Sequence, residues 1–220
     1  IVSPISTEIK PISGESTHFD NTFPSLIVIV LLFSGLLVAS TTILEEKSSR
    51  AFFRNFITPT SSALFVVGNY LSNLIIVLFQ IIVIFTALFL FSSAKVPPEI
   101  LTNLIVIILL VGSIFILLGM LIGYLFKSGE TANLAVISLA CILLFFSNTI
   151  LPLETLPVAI RSIAGYNPFI IGVDSLKEIL LFKASLSAIA VQFYTLLIYL
   201  VVLITLVYLA RLFSKRRYIE

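Results

Sequence analysis

Hydrophobic and polar positions separate along this chain into long uncharged blocks and short charged islands. No Asp, Glu, Lys or Arg falls within Pro24–Leu44, Ser62–Ala94, Ile100–Phe126, Thr131–Leu153 or Ser185–Ala210. About 20 apolar helical residues cross the hydrocarbon core of a bilayer, and every block is long enough to do so. A single charge at the centre of such a helix costs roughly 2.5–3.5 kcal/mol on insertion scales. Excluding charge from each long block is therefore what a polytopic membrane protein requires. The blocks are continuous rather than alternating, which predicts five helical spans and not barrel strands. The second block exceeds the need of one perpendicular helix, so it is tilted or starts along the interface.

Composition agrees. The 220 residues are 59% hydrophobic and only 11% charged, where a soluble domain carries roughly 25% charged residues. The basic residues are scattered, which gives no footprint for nucleic acid. The lone Cys141 has no partner for an intrachain disulfide and reads as a packing residue of its apolar run. The lone His18 lies in the polar N-terminal segment, and without a second His or a Cys cluster no metal site is expected. The chain begins at Ile1, and its first twenty-odd residues have neither the basic nor the apolar region of a signal peptide. Residue 1 is therefore expected not to be the biological start, or the reading of the gene is truncated.

Five spans place the two ends on opposite sides. One side collects Lys47, Arg50 and Arg54, then Lys127, then Arg211, Lys215, Arg216 and Arg217. The other carries Lys10, Lys95, Arg161, Lys177 and Lys183 over much longer sequence. The positive-inside rule puts the first group in the cytoplasm, with the N-terminal segment outside and the C-terminus inside. Within the blocks, Asn69, Tyr70, Ser72 and Asn73 fall near the cytoplasmic end, and Gln80, Asn148 and Gln192 lie deeper. These side chains either hydrogen-bond neighbouring helices or line a translocation path, with Asn73, Gln80 and Asn148 as the path candidates.

Three islands stand out. In Leu44–Ser62, Glu46, Arg50 and Arg54 follow helical spacing on one face while Phe52, Phe53 and Phe56 gather on another. Such a helix lies in the membrane interface, charged side toward the cytoplasm, and Pro59 breaks it before the next span. It serves either as a linker or as a docking surface. In Pro152–Lys183, two short helices are expected, about Pro157–Ala164 and Pro168–Phe182. Thr155 or Leu156 stands ahead of Pro157, Asn167 is an N-cap with Pro168 at the first helical position, and Gly165 is a stop. Ile170, Ile171, Val173, Leu176 and Leu180 supply the buried side; Asp174, Lys177 and Glu178 stay wet. This pair is either a lid packed on the bundle or an outer gate. The third island, Phe126–Glu130, is a tight turn in which Glu130 opens the next helix.

Several chemistries are excluded by what the sequence lacks. It holds no glycine-rich phosphate loop, no H-E-x-x-H and no G-x-S-x-G. No ionisable group lies inside a span, although ion-coupled carriers usually need one. Energy for uphill transport must then come from another subunit.

At these islands the chain resembles the membrane subunit of the type-2 family of ATP-binding-cassette exporters. Glu46–Pro59, EKSSRAFFRNFITP, is similar to the family's cytoplasmic stretch E-K-E-x-G-T-L-x-x-L-L-x-T-P. Glu46, Lys47, Thr58 and Pro59 match; Phe52, Phe56 and Ile57 keep apolar character. Ser48 stands where an acid is usual and Arg50 where glycine is usual. Pro152, Leu156 and Pro157 resemble the family's P-x-x-x-L-P, followed by Tyr166-Asn167-Pro168-Phe169 and Asp174-Ser175-Leu176-Lys177. The resemblance runs from about Thr22 to the end. It implies an all-α polytopic fold of six spans with both ends inside, here without its first span. Residues 1–23 would be the end of an outer domain, 24–213 the permease domain and 214–220 a cytoplasmic tail.

The resemblance further implies a homo- or heterodimer in the plasma membrane, each copy docked to a separate cytoplasmic ATPase. ATP and Mg would act in that partner, with no cofactor bound by this chain and no catalytic residue in it. Glu46–Ile57 would be the coupling helix, with Glu46, Lys47, Arg50, Arg54, Phe56 and Pro59 in the contact and Lys127 and Glu130 as a second contact. Pro152, Glu154, Pro157, Asn167, Pro168, Asp174 and Lys177 would belong to an outer gate. The leading expectation is an ATP-driven exporter permease that forms the path for a lipid-like or amphipathic substrate. The alternatives are a non-transporting membrane partner or assembly factor of a cytoplasmic ATPase, and a secondary carrier.

Overall fold

The computed structural model describes residues 18–49, 62–91, 98–147 and 157–216. Among them are seven helices and no strand: α1 (His18–Ser48), α2 (Ser62–Phe91), α3 (Pro98–Leu125), α4 (Gly129–Phe145), α5 (Val158–Ala164), α6 (Pro168–Phe182) and α7 (Ala190–Arg216). Helices α1, α2, α3 and α7 are long and apolar enough to cross a membrane. Helix α4 is apolar but has only 17 residues, about 26 Å at the helical rise.

The fold is the all-helical polytopic one that the uncharged blocks predict, with displaced boundaries. Helix α1 starts at His18, ahead of Pro24, which lies inside it. Helix α4 stops at Phe145, although its apolar block runs on to Leu153. The stop has a polar cause. Ser147 Oγ donates to the Leu144 carbonyl at 2.6 Å, and Asn167 Nδ2 donates to the Leu143 carbonyl at 2.7 Å. The Leu144 carbonyl also accepts from the Ser147 N–H at 3.1 Å, so it is the Leu143 carbonyl that relies on a side-chain donor at this helix end. Helix α7 begins at Ala190 and not at Ser185, after a turn over residues 186–189.

Helix α3 is the hub. Of its apolar stretch 67% is buried, against 17% for α2, which lies on the outside. Helices α1, α2, α4, α6 and α7 all pack on α3. The α1–α3 seam depends on glycine. A Cβ on Gly119 would stand 2.5 Å from the Leu36 carbonyl oxygen, and one on Gly123 would stand 2.7 Å from Ile43 Cβ. Lipid chains are as apolar as leucine, so helices associate in a bilayer through close packing, which small residues permit. The Gly119-x-x-x-Gly123 spacing provides that approach along one face of α3.

Helices α5 and α6 are two consecutive short helices that do not span. Phe169, Ile170, Ile171, Val173, Leu176 and Ile179 are buried, Leu180 is half-buried and Asp174 is exposed. The expected division into a dry and a wet side therefore holds, with Lys177 and Glu178 half-buried rather than fully wet. Helix α6 has the expected limits, and Asn167 caps it by accepting from the Phe169 N–H at 2.9 Å. Helix α5 corrects its expected start. Pro157 is the capping residue, its carbonyl accepting from Ile160 and Arg161 at 3.0 Å; Thr155 and Leu156 lie outside the described residues. Gly165 ends α5 in the ordinary right-handed conformation, so its lack of a side chain is not what the stop requires.

Candidate functional site

The last turn of α1 carries Glu46 and Lys47, and both side chains turn into the bundle. Lys47 is 9% exposed. Its Nζ donates to the carbonyls of Gly123 (3.0 Å), Tyr124 (3.0 Å) and Phe126 (2.8 Å). These are carbonyls at the C-terminus of α3, where a helix has no internal donors left and carries partial negative charge. A lysine from α1 thus caps α3 and fixes the start of the turn that leads to α4.

Glu46 faces the other way. Asn69 Nδ2 of α2 donates to Glu46 Oε2, and Arg211 Nη1 of α7 lies 3.7 Å from Glu46 Oε1. Together Glu46 and Arg211 make an ion pair that links α1 to α7. Arg211 is itself buried, donates to Tyr124 Oη at 2.9 Å, and stacks over the Phe65 ring at 4.7 Å. A guanidinium over an aromatic face is attracted by the ring quadrupole. Charges drawn out of water are costly unless paired and hydrogen-bonded; here buried Arg211 and half-buried Glu46 each have partners on other helices, with Glu46 Oε1 held by the ion pair alone. The sequence suggests that Glu46 stays on a wet face; the structure places it between α2 and α7, because its counter-charge sits at the equivalent depth of the last span. Glu46, Lys47, Asn69, Tyr124 and Arg211 together join α1, α2, α3 and α7 at one end of the bundle.

Lys127 and Glu130 lie at that same end and are exposed. Lys127 shares with Lys47, Tyr124 and Phe213 the wall of a small cavity of about 90 Å³. Ser128 caps α4, accepting from the Thr131 N–H at 3.4 Å, and Glu130 sits in the first turn as expected. Arg50, Arg54, Phe56 and Pro59 lie outside the described residues, as do Asn148, Pro152 and Glu154.

A family model described as ABC-2 family transporter protein matches residues 2–209. The chain belongs to this family. No curated protein matches it in sequence. Family and fold together make it a multi-pass membrane permease subunit of an ABC transporter.

Within the permease, two of the path candidates lie on one seam. Thr42 donates to Asn73 Oδ1 at 3.3 Å and Ser34 donates to Gln80 Oε1 at 3.1 Å, both across α1 and α2. With Glu46–Asn69 they form a polar ladder along that seam. Asn73 is 3% exposed and also donates to the Asn69 carbonyl. At the far end, Pro157 is exposed, Pro168 is half-buried, and buried Asn167 serves α4 and α6 at once. Asp174 and Lys177 point into a groove between α6 and α7.

Sequence reasoning left out Arg211, Tyr124 and Phe65. Arg211 reads as one more basic residue of a tail. The signal was its position: it is the first charge after an uncharged block, as Glu46 lies just beyond the first block, and two opposite charges at matched span ends are candidates to pair.

Proposed function

We propose that this permease is the membrane subunit of an exporter and works as a dimer, each copy docked on a separate cytoplasmic ATPase. The Lys47 end faces the cytoplasm of a plasma-membrane protein, in keeping with the basic residues it collects. The docking element is Glu46–Ile57, with the Lys127–Glu130 turn as a second contact. One observation carries this reading: the first residues of that element are bonded to α2, α3 and α7. A displacement of the element by the partner pulls directly on Lys47 and Glu46. Lys47 then moves the end of α3, the hub, and Glu46 moves α2 and α7. ATP and Mg act in the partner; this chain converts a motion into a rearrangement of spans.

The α5–α6 pair at the opposite end is proposed as the outer gate. The buried face of α6 packs on α1 and α3, so motion of the hub reaches that helix without a separate linkage. Spans free of charge suit an amphipathic or lipid-like cargo.

The test is ATP-dependent transport by the permease and its ATPase reconstituted in proteoliposomes. Replacing both Arg50→Glu and Arg54→Glu should leave insertion intact and separate ATP hydrolysis from transport. Unchanged partner binding and unchanged transport in that variant would remove the docking role.

A further inference from the structure

Between helices α6 and α7 lies an open groove of about 580 Å³, within the size range of small-molecule sites. Its apolar wall includes Ile170, Phe182 and Val191; its polar residues include Asp174, Lys177 and Glu178. Glu178 Oε1 accepts from Gln192 Nε2 of α7 at 3.1 Å, which ties the two helices across the groove floor. Tyr199 Oη of α7 donates to the Tyr166 carbonyl at 2.6 Å and closes one side. Neither Asp174 nor Lys177 forms a hydrogen bond or an ion pair among the described residues. The groove thus presents one carboxylate and one ammonium that attract each other without direct contact, one helical turn apart on the same face.

The apolar surface continues beyond the groove. Val191, Tyr194, Ile198, Val201 and Val202 are all exposed on α7. Their helical spacing makes a stripe about 16 Å long running from the groove toward the middle of the span.

We propose that this groove seats the headgroup of a zwitterionic phospholipid of the surrounding bilayer, with an acyl chain along the α7 stripe. Lys177 takes the phosphate and Asp174 takes the ammonium. The two charges of an ethanolamine headgroup are likewise separated by a short link, and its primary ammonium has N–H donors that a carboxylate accepts. A lipid with net negative charge finds one lysine beside two carboxylates and is disfavoured. The site requires only that the chain sits in a membrane, so it stands apart from export and from docking of the ATPase.

The experiment is native mass spectrometry of the full-length detergent-purified permease equilibrated with phosphatidylethanolamine and phosphatidylglycerol of identical acyl chains. Phosphatidylethanolamine should be retained over phosphatidylglycerol by roughly fivefold, the ratio that one exposed ion pair sustains. Asp174→Asn should erase the preference, Lys177→Met should lower retention of both lipids, and Thr195→Trp, which fills the groove beside intact charges, should displace both. Cys141→Ser, on the exposed face of α4, should change nothing. Equal or better retention of phosphatidylglycerol overturns the proposal. So does a preference that survives Asp174→Asn or Thr195→Trp.

Discussion

The two ends of the bundle meet the same demand with different chemistry. At each, a helix stops where its last carbonyls need donors, and a side chain from another helix supplies them. At one end the donor is charged: Lys47 of α1 holds three carbonyls at the end of α3. At the other it is neutral: Asn167, the cap of α6, holds the Leu143 carbonyl of α4. The charged end also pairs Glu46 with Arg211, whereas the neutral end turns Asp174 outward. Charge-assisted bonds are roughly twice as strong as neutral ones, so the Lys47 end should behave as one rigid unit and the Asn167 end should yield first.

The sharpest way to break this difference is Arg211→Met. It removes the cation and leaves Glu46 half-buried beside Asn69 alone. Breaking one partner of a buried pair costs about 3 kcal/mol or more. Unfolding in detergent should show that loss. The double variant Glu46→Gln with Arg211→Met should recover most of it, because the uncompensated charge is gone. A double variant as unstable as Arg211→Met would mean that stacking on Phe65, and not the pair, holds α7 in place.

Next in size is Lys47→Met, which keeps the length of the side chain and removes the donor. Carbonyls at the end of α3 lose a shared partner, at a cost of about 2 kcal/mol. Hydrogen exchange should quicken in the last turn of α3 and the first turn of α4, with α6 unchanged. Lys47→Arg keeps the charge and should fall between the two. Exchange that quickens evenly over the whole permease would show that Lys47 stabilises the bundle without fixing this joint.

The two ends were not equally legible from sequence. The α5–α6 pair was readable because its signals are local: Asn167 before Pro168 sets a helix start, and Ile170, Ile171, Val173 and Leu176 set its dry face within a single turn or two. Uncharged blocks likewise announce the spans. The Lys47 end is long-range. Nothing near Glu46 in sequence tells that Asn69 and Arg211 will face it, because helix rotation inside a bilayer is set by packing, and all faces of these spans are apolar. Gly119 and Gly123 do carry a local sign of the α1–α3 seam, four residues apart, but not of its partner. The end of α4 was misjudged for the same reason, since the side chain that satisfies Leu143 comes from α6.

At the neutral end, Asn167→Ala removes two bonds at once, the cap on Phe169 and the donor to Leu143. Loss of an N-cap costs about 1 kcal/mol. Hydrogen exchange should quicken at the Phe169 amide and in the last turn of α4, leaving the last turn of α3 as it was. Asn167→Asp keeps the cap and loses the donor, so it should restore protection at Phe169 alone. Faster exchange in the last turn of α3 or a global loss of stability would show that the ends are coupled more tightly than their bonding suggests.

The smallest effect belongs to Asp174. Burial around its carboxyl raises its pKa above the ordinary carboxylate range, and Lys177 beside it opposes the shift. A raised folded-state pKa means that folding favours the protonated form. The associated stability is complete below the ordinary aspartate pKa of about 3.9 and is lost as pH rises through the raised folded value. Asp174→Asn has no such term. At neutral pH the variant should match or slightly exceed the natural permease, within about 0.5 kcal/mol, because solvent screens an exposed carboxylate. Its advantage should vanish as pH falls into the carboxylate range. A natural permease that instead gains stability over the variant with rising pH would show that ionised Asp174 is held by Lys177 more strongly than burial penalises it, and the outward-facing end would then carry an ion pair of its own.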